Sequence, residues 1–365
     1  MIALRDTVQR ILAQHREAGT PEAERARDAV RSHLTGLGYH VSVQRFRFHP
    51  SALLGLPLLG AGVGASALLA LPLLVLPGVP AAGALAVWGL ILAASVCLAA
   101  GVGAGWLTLG ESREDANLIA VKSPEPVRRW IVAHLDTKAQ AQSMAGRLVA
   151  VWVLAAAIVV GGGSAVARLW GPLPLWLATL AAAVAVLAGA LAGRGRLRGT
   201  SRGARDNGSG VVAALAFAEA AAKVPAEAAS AGATGILVTG AEEFGLVGAR
   251  MFARIQGSLN GVEVVNLDTI DGEGDLFVVS HDRRGAAAAG RLAERLGPVG
   301  LPVRTRRLPI GILVDSLPLA RTGAVAVTIG RLTWRTLRVI HTPADVPETL
   351  SLDAAERVGR ALATN

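Results

Sequence analysis

The chain has 365 residues, of which 52% are hydrophobic and only 17% are charged. Soluble domains usually carry about 25% charged residues, so this composition argues against an ordinary soluble protein. A net charge of +9 would suit nucleic acid, but only 4% of the residues are aromatic. Platforms on which bases stack are therefore scarce, and no nucleic-acid partner is expected.

The first 50 residues are polar and patterned. Apolar residues recur every three to four positions over residues 5–15 and 22–37, which predicts two amphipathic helices. Gly38 is a suitable end for the second helix. Residues 39–48 alternate in polarity, with Tyr39, Val41 and Val43 on one face, and they predict a strand.

Two long apolar blocks follow. Residues 51–110 contain no charged residue, and residues 148–193 contain only Arg168. A membrane-spanning helix needs about 20 mostly apolar residues, and each block holds two such segments. The four predicted spans are residues 52–76, 81–107, 147–169 and 173–192, with turns at Pro77-Gly78-Val79-Pro80 and Gly171-Pro172. Buried helices of a soluble protein are the alternative, but such helices usually carry a polar face.

Charge near the spans predicts their orientation. Two hairpins return the chain to the same side of a membrane each time, so all polar segments share one compartment. That side carries the positive residues Arg45, Arg47, Lys138, Arg147 and an arginine cluster at 194, 196, 198, 202 and 205. By the positive-inside rule the polar segments are expected in the cytoplasm. The expected location is the plasma membrane of a bacterium, with the lipid bilayer as a partner.

The remaining polar segments alternate between strands and helices. Strands are predicted at residues 117–121, 130–133, 235–239, 262–267, 276–280 and 325–329, and helices at 210–222, 286–296 and 352–363. This alternation predicts an α/β sheet covered by helices on both faces. The predicted domain is discontinuous: it comprises residues 1–50, 109–147 and 194–365, interrupted by transmembrane hairpins at 51–108 and 148–193.

Potential metal ligands stand where predicted strands or loops end. Residues 134–136 read His-x-Asp, Asp206 lies in the Gly-rich turn Asp-Asn-Gly-Ser-Gly, and two glutamates are adjacent; these candidates are His134, Asp136, Asp206, Glu242, Glu243, Asp268 and His341. Each alone also fits a capped turn or a structural hydrogen bond. The single cysteine, Cys97, lies in an apolar block, so a metal must use histidine and carboxylate ligands, as zinc, manganese and cobalt do.

Taken in order, these motifs resemble those of the M28 family of metallopeptidases, the co-catalytic zinc aminopeptidases, over almost all of the polar segments. The resemblance implies a mixed, mostly parallel sheet between helices. It also implies two zinc ions, one held by His134 and Asp268, the other by Glu243 and His341, with Asp206 between them. Glu242 matches the general base and Asp136 the carboxylate that supports His134. The expected substrate is a peptide with a free N-terminus, whose α-amine one ion could bind.

Two features depart from the family pattern. Ile340 stands before the last histidine, where many members have a tyrosine, and the only tyrosine is Tyr39. His281 and Asp315 are candidates to stabilise the oxyanion, although ordinary loop roles also suit them. The second hairpin separates Asp136 from Asp206, which predicts that the active-site rim faces the bilayer. The alternatives are a glutaminyl-cyclase-like transferase with one zinc and a non-catalytic membrane scaffold.

Overall fold

The computed structural model of the protein describes residues 3–78, 80–223, 234–309 and 311–363. The chain divides into two compact units. The sheet unit comprises Met1–Phe48, Ser112–Ala139 and Gly199–Asn365, and the apolar unit comprises His49–Glu111 and Gln140–Arg198. Of the predicted turn between the first two spans, Val79 lies outside the described residues.

An eight-stranded mixed sheet forms the centre of the sheet unit. Its strands are β1 (His40–Phe48), β2 (Arg113–Val121), β3 (Arg129–His134), β4 (Thr234–Thr239), β5 (Glu263–Ile270), β6 (Leu276–Ser280), β7 (Val303–Arg307) and β8 (Val325–Arg331). They lie in the order β1-β2-β4-β3-β5-β8-β6-β7. Four of the seven pairings are parallel, so the sheet is mixed, as the sequence predicted.

The four central strands β4, β3, β5 and β8 are parallel neighbours. β3 and β4 are almost wholly buried, as expected for parallel strands covered on both faces. Successive residues of β3 alternate between two cores: Ile131 and Ala133 belong to one, Trp130 and Val132 to the other. Because the strands run the same way, their carboxyl ends meet at one edge, where open α/β sheets place their sites.

Helices cover both faces of this sheet. In the sheet unit they are α1 (Leu4–Leu12), α2 (Pro21–Gly36), α7 (Ser209–Ala221), α8 (Val247–Gln256), α9 (Arg283–Arg295), α10 (Ser316–Arg321), α11 (Trp334–Val339) and α12 (Asp353–Ala363). The larger core contains α7, which is buried along most of its length and packs against α12. The smaller core lies on the other face, around Phe252 of α8 and Leu319 of α10.

Four elements were not predicted. Helices α10 and α11 have six residues each, too few to show a helical period, and α8 was not recognised in spite of its amphipathic pattern. Strand β7 reads Val-Arg-Thr-Arg-Arg, is mostly exposed and pairs only with β6 at the sheet edge. Such an edge strand lacks the apolar alternation by which strands are recognised, and its arginines protect the edge from further pairing.

The apolar unit contains four long helices, α3 (Gly55–Val75), α4 (Ala81–Gly103), α5 (Met144–Ala167) and α6 (Leu175–Gly193). Each is long and apolar enough to cross a membrane. Helix α3 packs against α4 and α6, and α5 packs against α4 and α6. The one charged side chain within the second apolar block, Arg168, is buried and donates hydrogen bonds to the carbonyls of Leu73 at 3.2 Å and Leu76 at 2.9 Å.

The surface of the apolar unit is itself apolar. Of the 25 exposed large hydrophobic residues in the described chain, 21 lie in this unit. Trp106 is 83% exposed near the end of α4, and Trp170 and Trp176 are 81% and 68% exposed around the turn between α5 and α6. Extensive exposed apolar surfaces usually contact lipid or another protein. Tryptophan is enriched at membrane interfaces.

Candidate metal centre

His134 is the last residue of β3 and is 1% exposed. Its Nδ1 lies 3.1 Å from the backbone carbonyl of Asp136. Because a carbonyl can only accept, Nδ1 carries the proton and the lone pair of Nε2 points the other way. Nε2 lies 3.2 Å from Oδ1 of Asp206, 3.9 Å from Oε2 of Glu242 and 4.0 Å from Oδ1 of Asp268. The imidazole is therefore oriented with Nε2, the atom that could bind a metal ion, towards three carboxylates.

The carboxylate of Asp136 joins two loops. Its Oδ1 accepts the backbone N–H of Glu242 at 3.0 Å, and its Oδ2 accepts that of Glu243 at 3.1 Å. The same carboxylate is 3.7 Å from Nδ1 of His134. Besides supporting His134, as the resemblance implies, Asp136 therefore fixes the loop that presents both glutamates.

Asp206 lies in an irregular turn before α7, and its peptide bond to Asn207 is cis. Its two oxygens face different histidines: Oδ1 is 3.2 Å from Nε2 of His134, and Oδ2 is 3.1 Å from Nε2 of His341. Asp345 fixes this turn, since its carboxylate accepts hydrogen bonds from the backbone N–H groups of Arg205 at 2.9 Å and Asp206 at 3.1 Å. A carboxylate placed between two histidines in this way can bridge two metal ions.

The other ligands complete two trios of potential ligand atoms. The His134 trio consists of His134, Glu242 and Asp268, and the His341 trio consists of Asp206, Glu243 and His341. Within each trio the atoms lie within 4.8 Å of one another. All seven residues picked out from the sequence, Asp136 included, are thus brought together at the carboxyl edge of the central strands.

The donor set fits divalent metal ions. Two imidazoles and four carboxylates are nitrogen and oxygen donors that suit zinc, manganese or cobalt. Among the described residues, Oε1 of Glu243 and Nδ1 of His341 are buried without a hydrogen-bond partner. Buried polar atoms normally have a partner, so Oε1 of Glu243 is available to a cation. Nδ1 of His341 lies on the other side of the ring from Nε2, the atom that faces Asp206 and Glu243.

The pKa shifts of the residues in the centre agree with a site that suits cations. Burial raises the pKa of Glu242 well above its usual value and that of Asp268 to about 6. Burial alone would lower the pKa of His134, but Glu242, Asp136 and Asp206 raise it well above the usual value. The carboxylates thus recruit protons where no metal ion offsets their charge, and a divalent ion would replace those protons.

Backbone strain is concentrated here. Four described residues other than glycine have positive φ, and three of them adjoin or belong to the centre: Ala241 at 50°, Thr269 at 54° and His341 at 65°. Such conformations cost of order 1–3 kcal/mol each and persist at functional sites where the surroundings impose them. Ala241 precedes Glu242, Thr269 follows Asp268, and His341 is itself a candidate ligand.

Arg16 fixes the backbone next to the centre, a role that the sequence did not predict. Its guanidinium is fully buried and donates to the carbonyls of Leu135 at 2.8 Å, Gly203 at 3.0 Å and Arg202 at 2.6 Å. These carbonyls lie next to His134 and in the turn before Asp206. Arg16 therefore ties together two ligand-bearing segments that are about 70 residues apart in the chain. Only its position in the fold reveals this role, because Arg16 follows a helix and belongs to no motif.

The oxyanion candidates differ in their surroundings. Asp315 is buried, its carboxylate contacts the Thr239 hydroxyl, and its charge raises the pKa of Glu242. Burial raises the pKa of Asp315 itself to about 7. His281 instead contacts Ser316, with Nε2 2.6 Å from Oγ. Tyr39 is a buried core residue immediately before β1. Of these, Asp315 is the group that acts electrostatically on the centre.

The fold and the centre define a class: an α/β protein with a buried histidine–carboxylate cluster, a candidate metal site, at the edge of a mixed sheet. Residues 186–365, just under half of the chain, match the model of Peptidase family M28. The match includes Asp206, Glu242, Glu243, Asp268 and His341, while His134 and Asp136 lie outside it. No curated protein matches the sequence.

Solved structures share the fold. The zinc aminopeptidase BSAP from Bacillus subtilis is 15% identical with a TM-score of 0.57, over 99% of this chain and 92% of that one. Porphyromonas gingivalis glutaminyl cyclase is 14% identical with a TM-score of 0.57, over 99% and 95%. The LapA aminopeptidase of Legionella pneumophila is 14% identical with a TM-score of 0.55, over 99% and 69%. At these identities the likeness is one of fold.

Proposed function

We propose that the protein is a membrane-anchored, zinc-dependent aminopeptidase. The observation that carries the proposal is Asp206, whose two oxygens face Nε2 of His134 at 3.2 Å and Nε2 of His341 at 3.1 Å. A carboxylate in this position suits a pair of metal ions. The match of residues 186–365 to a peptidase family supports hydrolysis of a peptide bond.

Five residues would hold metal: His134, Asp206, Glu243, Asp268 and His341. When bound there, zinc lowers the pKa of a water molecule and polarises a carbonyl. The chain's own contribution is orientation. Asp136 fixes the loop of Glu242 and Glu243, Asp345 fixes the turn of Asp206, and Arg16 joins the segments of His134 and Asp206.

Glu242 is the proposed general base. The residue is 7% exposed, and its Oε2 lies 3.9 Å from Nε2 of His134, next to the proposed ligand Asp268 at 4.0 Å from the same atom. As a buried carboxylate next to the ligands, it can take a proton from the attacking water and return it to the leaving amine. We therefore propose that Glu242 transfers a proton and is not a metal ligand.

A glutaminyl-cyclase-like acyl transfer is the competing activity, since solved structures of both kinds of enzyme share the fold at a similar TM-score. Detergent-solubilised protein, supplied with zinc, should be given three probes: aminoacyl reporters, the same reporters with an acetylated N-terminus, and a peptide beginning with glutamine. We expect hydrolysis only of the aminoacyl reporters whose N-terminus is free. Cyclisation of the glutamine peptide without reporter release would favour the transferase, and no turnover of any probe would favour a non-catalytic scaffold.

Membrane anchoring through α3 to α6 is part of the proposal, with the sheet unit in the cytoplasm of a bacterium. The support is the length and apolarity of the four helices, their exposed apolar surface and the arginines that flank them. We expect the full chain to remain in the membrane fraction after alkaline carbonate washing, with Arg45 and Arg47 inaccessible to protease in intact spheroplasts. Release by carbonate would contradict the anchoring, and cleavage in intact spheroplasts would contradict the orientation.

A further inference from the structure

A lysine side chain is buried inside the candidate metal centre. The ammonium group of Lys138 donates to Oε2 of Glu243, and the side chains of both residues are only 4% exposed. The same oxygen faces Nε2 of His341 at 3.4 Å. The ammonium therefore shares a ligand atom with the His341 trio, at a position where a metal ion would also bind.

The backbone around Lys138 is fixed. The preceding residue, Thr137, donates its N–H to the carbonyl of Arg16 at 3.1 Å and its hydroxyl to the carbonyl of Ser201 at 3.0 Å. On the opposite side, the N–H of Glu243 is bound by Asp136 at 3.1 Å. The lysine and the glutamate are thus presented to each other by two clamped segments, which holds the ammonium near the carboxylate.

The charge of Lys138 acts on one half of the centre. Burial would raise the pKa of Glu243, but the charges of Lys138 and His341 lower it to about 2. Burial and the charge of Lys138 act to lower the pKa of His341, but Glu243 and Asp206 outweigh them and raise it. Both histidines face carboxylates: His134 pairs with Asp136, Asp206, Glu242 and Asp268, and His341 pairs with Asp206 and Glu243. The His341 trio differs in that a lysine ammonium contacts one of its ligand atoms.

The Lys138–Glu243 pair is not a complete structural salt bridge. Oε1 of Glu243 is buried and lacks a hydrogen-bond partner among the described residues. A buried ion pair is stable only when its remaining lone pairs are satisfied as well. The free oxygen leaves Glu243 able to accept another cation, against the repulsion of the ammonium.

We propose that Lys138 makes the two metal positions unequal, so that one divalent ion is held tightly at His134, Asp206 and Asp268 while the ammonium takes the place of a second ion at Glu243. A second ion binds weakly, in competition with the ammonium. This inference rests on the proposed function, because both require a metal at this centre.

Zinc titration of the full chain tests the inference. Protein solubilised in detergent is stripped with a chelator, dialysed and titrated with zinc at neutral pH by calorimetry, and retained zinc is counted by elemental analysis. We expect the wild type to retain one equivalent and to bind a second far more weakly. Lys138→Met keeps the length of the side chain without its charge, and should tighten the second binding step by at least about tenfold.

Lys122→Met is the matched control, because Lys122 stacks over the ring of Tyr39 outside the centre. It should give the wild-type isotherm. Two equally tight equivalents in the wild type would overturn the inference while leaving the proposed function intact, and this result does not depend on whether Lys138→Met folds. A folded Lys138→Met protein with an unchanged second step would overturn it as well. A wild type that binds no zinc would refute the proposed function itself.

Discussion

Replacing Glu242 with alanine is expected to lower the rate of reporter hydrolysis by about 10²–10⁴-fold, the usual contribution of a general base. Bound zinc should stay at the wild-type level, because His134, Asp206 and Asp268 remain to hold the ion and Glu242 matches the general base rather than a ligand in the motif order. Steady-state hydrolysis and elemental analysis of the same sample provide the two measurements. Glu125→Ala, which removes an exposed glutamate, is the control.

The outcome separates two roles for Glu242, which belongs to the His134 trio. Loss of zinc together with activity would make Glu242 a metal ligand and leave the centre without its proposed base. Unchanged hydrolysis would contradict the mechanism altogether. Loss of hydrolysis with zinc retained is the single result that agrees with a group that moves a proton.

Replacing Asp206 with alanine is expected to abolish both zinc binding and hydrolysis. Its two oxygens face both histidines, so its removal weakens both metal positions at once. Loss of a residue that only supports a ligand already costs about 10–100-fold in metal affinity, and loss of a shared ligand should cost more than that. Zinc affinity is measured by competition with a chromophoric chelator.

Asp28→Ala is the control for this change, since Asp28 forms an exposed pair with Arg31 on α2. The variant should stay folded, which circular dichroism checks. A folded Asp206→Ala protein with wild-type zinc affinity would show that the metal, if any, lies elsewhere.

The fold was predictable where a segment's own residues determine its structure. Strand β3 is a short apolar run that ends in His134, and burial on both faces makes such a run recognisable. The long apolar helices were equally clear, because 60 consecutive residues without charge leave few alternatives. Strand β7 could not be found, since its Arg-rich sequence acquires strand structure only by pairing with β6.

The candidate site was predictable as a set of residues but not as a geometry. The motif order singled out His134, Asp206 and His341, yet nothing local shows that one carboxylate lies between two histidines. The parallel arrangement of β4, β3, β5 and β8 brings their carboxyl ends together. The assignment of these residues as metal ligands stays a prediction until an ion is measured.

Supporting residues were the hardest to foresee. Arg16 acts through carbonyl groups of segments more than 100 residues away, and backbone carbonyls have no sequence signature. Lys138 was taken as an orientation signal for the membrane, but its side chain is buried against Glu243. Both are charged residues whose roles depend on burial, and burial is decided by the whole fold rather than by neighbours in the chain.

The central claim is that the centre around Asp206 holds a metal that serves hydrolysis. The most direct test measures zinc content and aminoacyl-reporter hydrolysis side by side in the wild type, Glu242→Ala and Asp206→Ala. We expect metal with activity in the wild type, metal without activity in Glu242→Ala, and neither in Asp206→Ala. Hydrolysis by Asp206→Ala protein that contains no zinc would contradict the claim.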